Sequence, residues 1–211
     1  MPLVMRQICL ITMVFSLSSA QTSQAFSKRQ HIVETAYRLF TRDGFHATGI
    51  DRIIAEAQVA KMTMYRHFPS KEGLIVEVLD ERFRRFEEQL DRMAAASKQP
   101  EGMIDDIIAW YGRWFDRADF NGCLFAHALA EYGSPGHPVF EAAVRQKESL
   151  RRRMAEILAK WMSGAEAETT STAILMLLEG ATLMAEMGQG GKAIDAARKA
   201  ASDIIAASRR T

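Results

Sequence analysis

Residues 44–74 read GFHATGIDRIIAEAQVAKMTMYRHFPSKEGL, and the remainder of the 211-residue chain is arranged around them. The spacing predicts two short helices joined by a tight turn, with a longer helix starting directly behind them. Thr48 followed by Asp51 is a T-x-x-D start signal, close to a capping box. Ile50, Ile53, Ile54 and Ala57 form an apolar stripe at helical spacing. Val59 lies past a four-residue turn, and Met62, Met64, Tyr65 and Phe68 follow in the second helix. Pro69 ends that helix because it has no amide to donate, and Ser70 is placed to cap the next one. Helices of under about ten residues do not persist alone in water, so this pair must be held by packing. The second helix carries Lys61, Thr63, Tyr65, Arg66 and His67. Cations and short polar groups on a narrow rod are what a helix lying in a DNA major groove requires.

The stretch resembles the helix-turn-helix of the TetR/AcrR family of bacterial repressors. The matching residues are Gly44-Phe45, Thr48, Ile53, Ala57, Val59, Lys61, Thr63, Tyr65, Phe68, Ser70-Lys71-Glu72 and Leu74, with Y-x-x-F-x-S-K-E-x-L (65–74) the most specific part. The resemblance implies an all-α protein of about nine helices. A signal-like or mis-assigned extension (1–26) would precede a helix-turn-helix domain (27–73) and a helical effector-binding and dimerisation domain (74–211). It also implies a homodimer on a roughly palindromic double-stranded DNA operator, and a small-molecule effector that weakens DNA binding. Lys28, Thr48, Lys61, Thr63, Tyr65, Arg66, His67 and Lys71 are the expected DNA contacts. Four residues depart from the family pattern. Gly49 stands in place of a second Thr or Ser, Ile54 of Ala, Gln58 of a turn Gly, and Met62 of Gly. Gln58 would bear a backbone conformation that glycine adopts more cheaply, by about 1 kcal/mol.

Composition agrees with a helical regulator. The chain is 48% hydrophobic, enough for a core of one or two domains, and its five prolines leave residues 3–68 uninterrupted. No strand-like alternation is present. The formal charge is +1, but residues 27–71 hold eight Lys/Arg against four Asp/Glu, so a basic head sits on an acidic body. Cys9 and Cys123 make neither a disulfide framework nor a C-x-x-C motif, which points to a reduced, cytoplasmic compartment. Arg6, the apolar run 8–17 and Ser18-Ser19-Ala20 have the pattern of a secretory signal. The DNA-binding pattern is the more specific of the two, so we expect translation to begin near Met13. The alternative is an exported helical binding protein without DNA binding.

Ser27 and Gln30 form a capping box for a first helix whose apolar stripe is Ile32, Val33, Ala36, Leu39 and Phe40. A long helix is expected over 71–96, with Arg82, Arg84 and Arg85 read as surface because they fall among acids. Further helices are expected at about 101–118, 122–132, 137–162, 166–187 and 191–208, separated by Gly, Ser, Pro and Asn clusters. Aromatic residues concentrate around Trp110 and Trp114. With Met103, Ile107, Phe125, His127, Glu131, Met176, Glu179 and Met184 they suit an apolar pocket with few polar groups. Cys123, His127 and Glu131 share a helical face, but three mixed ligands without a fourth do not make a zinc site, and a polar pair in the pocket is expected instead. No nucleophilic triad, phosphate loop or cofactor motif appears, so neither an enzyme nor a cofactor is expected. The segment 169–187 is apolar nearly all round, yet Glu179 and Glu186 argue against a membrane span. Together with Ala193, Ile194, Ala197, Ala201, Ile204 and Ile205 it is expected to form the dimer interface through the last two helices.

Overall fold

The computed structural model describes residues 28–97 and 102–208. Ser27 of the expected capping box and the signal-like run lie outside them. The described residues form nine helices and no strand. These are α1 (28–43), α2 (Ile50–Glu56), α3 (Lys61–His67), α4 (Lys71–Ala96), α5 (Met103–Phe115), α6 (Leu124–Glu131), α7 (Pro138–Leu158), α8 (Gly164–Glu186) and α9 (Gly190–Ser208). None is long and apolar enough to cross a membrane.

The short helices are held as their length demands, by packing. Ile53 and Ala57 of α2, with Met64 of α3 and Phe68 behind it, are buried against Ile32, Val33, Ala36, Leu39 and Phe40 of α1 and against Phe45. Phe68 caps α3 in an extended conformation before Pro69, and Ser70 Oγ accepts the Gly73 amide at 3.0 Å to open α4, as expected. Thr48 is a correction. It does not cap α2: Gly49 holds that position without a side-chain bond. The Thr48 hydroxyl is buried and donates to the Gly44 carbonyl at 2.7 Å. Gln58 has φ 51°, the left-handed conformation expected for the turn.

The head core does not stop at Leu74. Leu74, Ile75, Val78 and Leu79 of α4 belong to it, and so do Phe125 and Ala128 of α6 and Val139, Ala142 and Ala143 of α7. An Arg29–Glu77 ion pair at 2.6 Å fastens α1 to α4. A second core joins Leu90 of α4 to α5, α7, α8 and α9. Ala193, Ile194, Ala197 and Ala201 are buried in it, so these α9 residues pack within their own subunit rather than facing outwards. The α6 helix begins at Leu124 because Gly122 has φ +78°, outside the helical region. The α8 helix starts at Gly164 because Ser163 and Glu166 form a reciprocal capping box.

Candidate nucleic-acid interface and effector cavity

On α3 the outward side chains are Lys61, Met62, Tyr65 and Arg66, while Met64 points into the core. Lys61 lies 3.2 Å from Asp51 of α2, an exposed pair that leaves the ammonium free to exchange partners. Thr63 is half-buried beside them. Met62 is 81% exposed, the most solvent-exposed large apolar side chain among the described residues. Sequence reading treated it only as a departure from pattern; an apolar side chain standing alone on a basic helix was the signal to notice. Lys28 is exposed at the start of α1. Lys71, at the first turn of α4, reaches the His46 carbonyl at 3.4 Å. His67 is half-buried, with Nε2 enclosed and unpartnered. Burial, aided by the charges of Arg66, Arg29 and Lys28, holds its pKa below the ordinary imidazole value. Lys61, Tyr65 and Arg66 thus stand exposed on α3 and Lys71 opens α4 behind them, while the Thr48 side chain is withdrawn into the core.

The body holds a cavity of about 520 Å³ between α1, α4, α5, the start of α6, and α7. Trp110, Trp114 and Phe125 line it, as read from sequence. Other expected lining residues do not. Met103 and Ile107 are buried in the second core, because their positions on α5 face the bundle rather than the cavity. Met176 and Met184 are exposed on the outer side of α8. Glu179 stays behind the cavity wall, accepting a 2.6 Å hydrogen bond from Lys147. His127 turns to Glu186 at 3.7 Å.

Glu131 leaves the cavity altogether. Its carboxylate accepts the backbone amides of Phe45 at 2.9 Å and His46 at 2.6 Å, and contacts the His46 ring at 2.7 Å. Burial alone would raise its pKa, but these bonds outweigh it and hold the carboxyl below the ordinary range. The end of α6 therefore grips the turn that leads into α2. Cys123, His127 and Glu131 do not converge, and among the described residues no cluster suits a metal ion.

Some of the cavity lining was not legible. Tyr37 and Thr41 come from α1, and Gln146 and Lys147 from α7. Arg82 and Arg85, read as surface, also line it, whereas Arg84 pairs with Glu81 and Glu88 outside.

Residues 32–78 match the description "Bacterial regulatory proteins, tetR family". The chain is 27% identical over 159 residues to the HTH-type transcriptional regulator LmrA of Bacillus subtilis, covering 74% of this chain and 85% of that one. It is 28% identical over 104 residues to the HTH-type transcriptional repressor KstR of Mycolicibacterium smegmatis, about half of each chain (49% and 51%). A crystal structure of a TetR-family transcriptional regulator from Streptomyces coelicolor superposes with a TM-score of 0.81 at 28% identity, over 86% of this chain and 96% of that one. With the buried helix-turn-helix core and the donor-bearing face of α3, these matches lead to one conclusion: residues 32–78 are a TetR-type DNA-binding domain, and the chain is a DNA-binding transcriptional regulator.

Proposed function

We propose that the protein is a homodimeric repressor that lays α3 of each subunit in a major groove and is released from its operator by a ligand in the body cavity. The observation that carries this is the single face on which Lys61, Tyr65 and Arg66 stand exposed around Met62, on a head whose opposite side is core. Lys61 and Thr63 meet base edges or nearby phosphate. Tyr65, Arg66 and Lys71 hold the backbone, and Lys28 adds a phosphate contact from α1. Met62 is suited to a thymine methyl group, the apolar mark of the major groove.

Release is supported by where the cavity lies. Tyr37 and Thr41 of α1 form part of its wall, and α6 enters it at one end and grips Phe45 and His46 at the other. A ligand that displaces α6 moves the head. To be useful it must favour the released arrangement by about 1–3 kcal/mol.

The test is fluorescence anisotropy of the purified protein on DNA from upstream of its own gene, at two salt concentrations and with random DNA as competitor. Competitor-resistant binding is expected, and Lys61→Ala should weaken it by about 1–3 kcal/mol with the helical spectrum unchanged. Unaltered operator affinity in Lys61→Ala would remove that residue from the interface. Binding no better than to random DNA would overturn specificity for that DNA.

A further inference from the structure

Resting on the ligand-responsive reading above, we propose that the cavity takes an organic anion: an apolar, ring- or chain-bodied carboxylate or phosphate whose charge sits among Arg82, Arg92 and Arg113.

The cavity wall carries five arginines and one lysine but a single carboxylate, Asp119. Half of these cations already have acidic partners. Arg85 is paired with Glu34 and Glu81, Arg117 with Asp119 at 2.7 Å, and Lys147 with Glu179 at 2.6 Å. The other three make no such bond, although Asp119 lies near enough to Arg82 to feel its charge. The Arg82 guanidinium lies 4.5 Å from the centre of the Tyr37 ring, and Arg92 donates to the neutral Gln89 amide at 2.9 Å. Arg113 is exposed one residue before Trp114. Among the described residues, no carboxylate is hydrogen-bonded to or ion-paired with any of the three. Arg92 and Arg113 are exposed, so the uncompensated charge lies at the mouth. A guanidinium fork binds carboxylate or phosphate through two parallel hydrogen bonds, which a neutral or cationic ligand cannot reproduce.

The interior is different. Phe86, Trp110 and Trp114 supply flat aromatic faces, with Phe86 and Trp110 edge to face at 5.4 Å. Gln146 is 3% exposed, and its side-chain oxygen has no partner; the Thr41 hydroxyl is likewise buried and unpartnered. Both residues line the cavity. A buried polar atom without a partner is unfavourable, so each favours a ligand carrying a hydroxyl or amide group at its far end. The volume, about 520 Å³, suits a two-ring or ten-carbon molecule.

The experiment is isothermal titration calorimetry on the full chain with matched ligands. One series is 2-naphthoate, 2-naphthyl phosphate, 2-naphthalenemethanol and 2-naphthylmethylamine; the other is decanoate, decanol and decylamine. In at least one series the anion should bind about tenfold or more tightly than the alcohol, and the amine more weakly than the alcohol. The two naphthyl anions tell carboxylate from phosphate. The double variant Arg92→Gln/Arg113→Gln should abolish the preference while leaving the alcohol within roughly twofold. Operator binding without ligand, measured on the same preparations, reports the fold of the variant and the regulator reading independently. Alcohol or amine binding as tightly as the anion, no anion binding at about 1 mM, or a preference that survives the double substitution would each overturn the proposal. Intact operator binding beside any of these results would leave the regulator reading standing and sink only the anion.

Discussion

Gln58 is where a single residue works against the local fold. It occupies the α2–α3 turn at φ 51° with its side chain exposed, so it gains no packing in return for the left-handed backbone. Gln58→Gly should stabilise the protein by about 1 kcal/mol, because an L side chain is disfavoured there and glycine is not. For a chain of this size that is a rise in melting temperature of about 2–4 °C, readable by calorimetry. A lower melting temperature would mean that the entropy of the freer unfolded chain outweighs the relief of strain. Gly122 is the converse. It has φ +78°, and a Cβ there would stand 2.1 Å from the Glu186 carboxylate and 2.9 Å from the His127 ring. Any side chain at 122 displaces the His127–Glu186 pair. The Gln58 strain was legible because a turn between two amphipathic stretches fixes the backbone locally. The role of Thr48 was not. Its T-x-x-D spacing is that of a cap, but a hydroxyl at the end of the Gly44 turn finds the carbonyl four residues back first, at 2.7 Å.

Among the helices that join cavity to head, α6 does so through its C-terminal end, and Glu131 is its working residue. The carboxylate holds two backbone amides and the His46 ring, and Tyr132, the next residue, stacks on that ring at 4.7 Å between centroids. Glu131→Gln removes the charge and leaves one acceptor for two amides. We expect faster hydrogen exchange at residues 45–47 and a loss of about 1 kcal/mol or more, since bonds to a charged acceptor exceed neutral ones. Exchange unchanged at those amides would show that the packing of Phe45 alone holds the turn. The pH dependence has a definite sign. The native Glu131 carboxyl titrates below its ordinary value near 4.5, so its contribution is fully present above that value and lost as pH falls through the native one. In Glu131→Gln this acid-side loss should be absent. Sequence spacing placed Glu131 with His127 because the two are four residues apart on one helix. What decided otherwise was the donor set of Phe45 and His46, some 85 residues away, which no local pattern displays. The same reason hid Tyr37, Thr41, Gln146 and Lys147 from the cavity reading, whereas Trp110 and Trp114 were recognisable as neighbours on α5.

For the whole molecule, the dimer proposed above needs a means of holding two heads at one spacing, and we propose that the outer face of α8 supplies it. Thr169, Thr172, Met176, Gly180, Leu183 and Met187 are all exposed, at successive intervals of three and four residues. Met176, Leu183 and Met187 are 69%, 61% and 64% exposed, an apolar stripe that the subunit's own core does not use. Small residues between them permit a second α8 to approach closely. Four of the six α9 residues expected to share this role, Ala193, Ile194, Ala197 and Ala201, are already covered, so in the proposed dimer the α8 stripe carries most of the hydrophobic contact. Leu183→Arg puts a charge at the centre of the stripe while leaving the buried positions Ile174, Leu178 and Ala181 untouched. The variant should sediment as a monomer with an intact helical spectrum. A monomer engages one half-site and forfeits the effective concentration that a tethered second head provides, so operator affinity should fall by about a hundredfold or more. Binding to a single half-site should stay unchanged. A variant that remains dimeric would place the contact on another face, and one that turns monomeric yet holds the full operator as tightly as before would show that one head is enough.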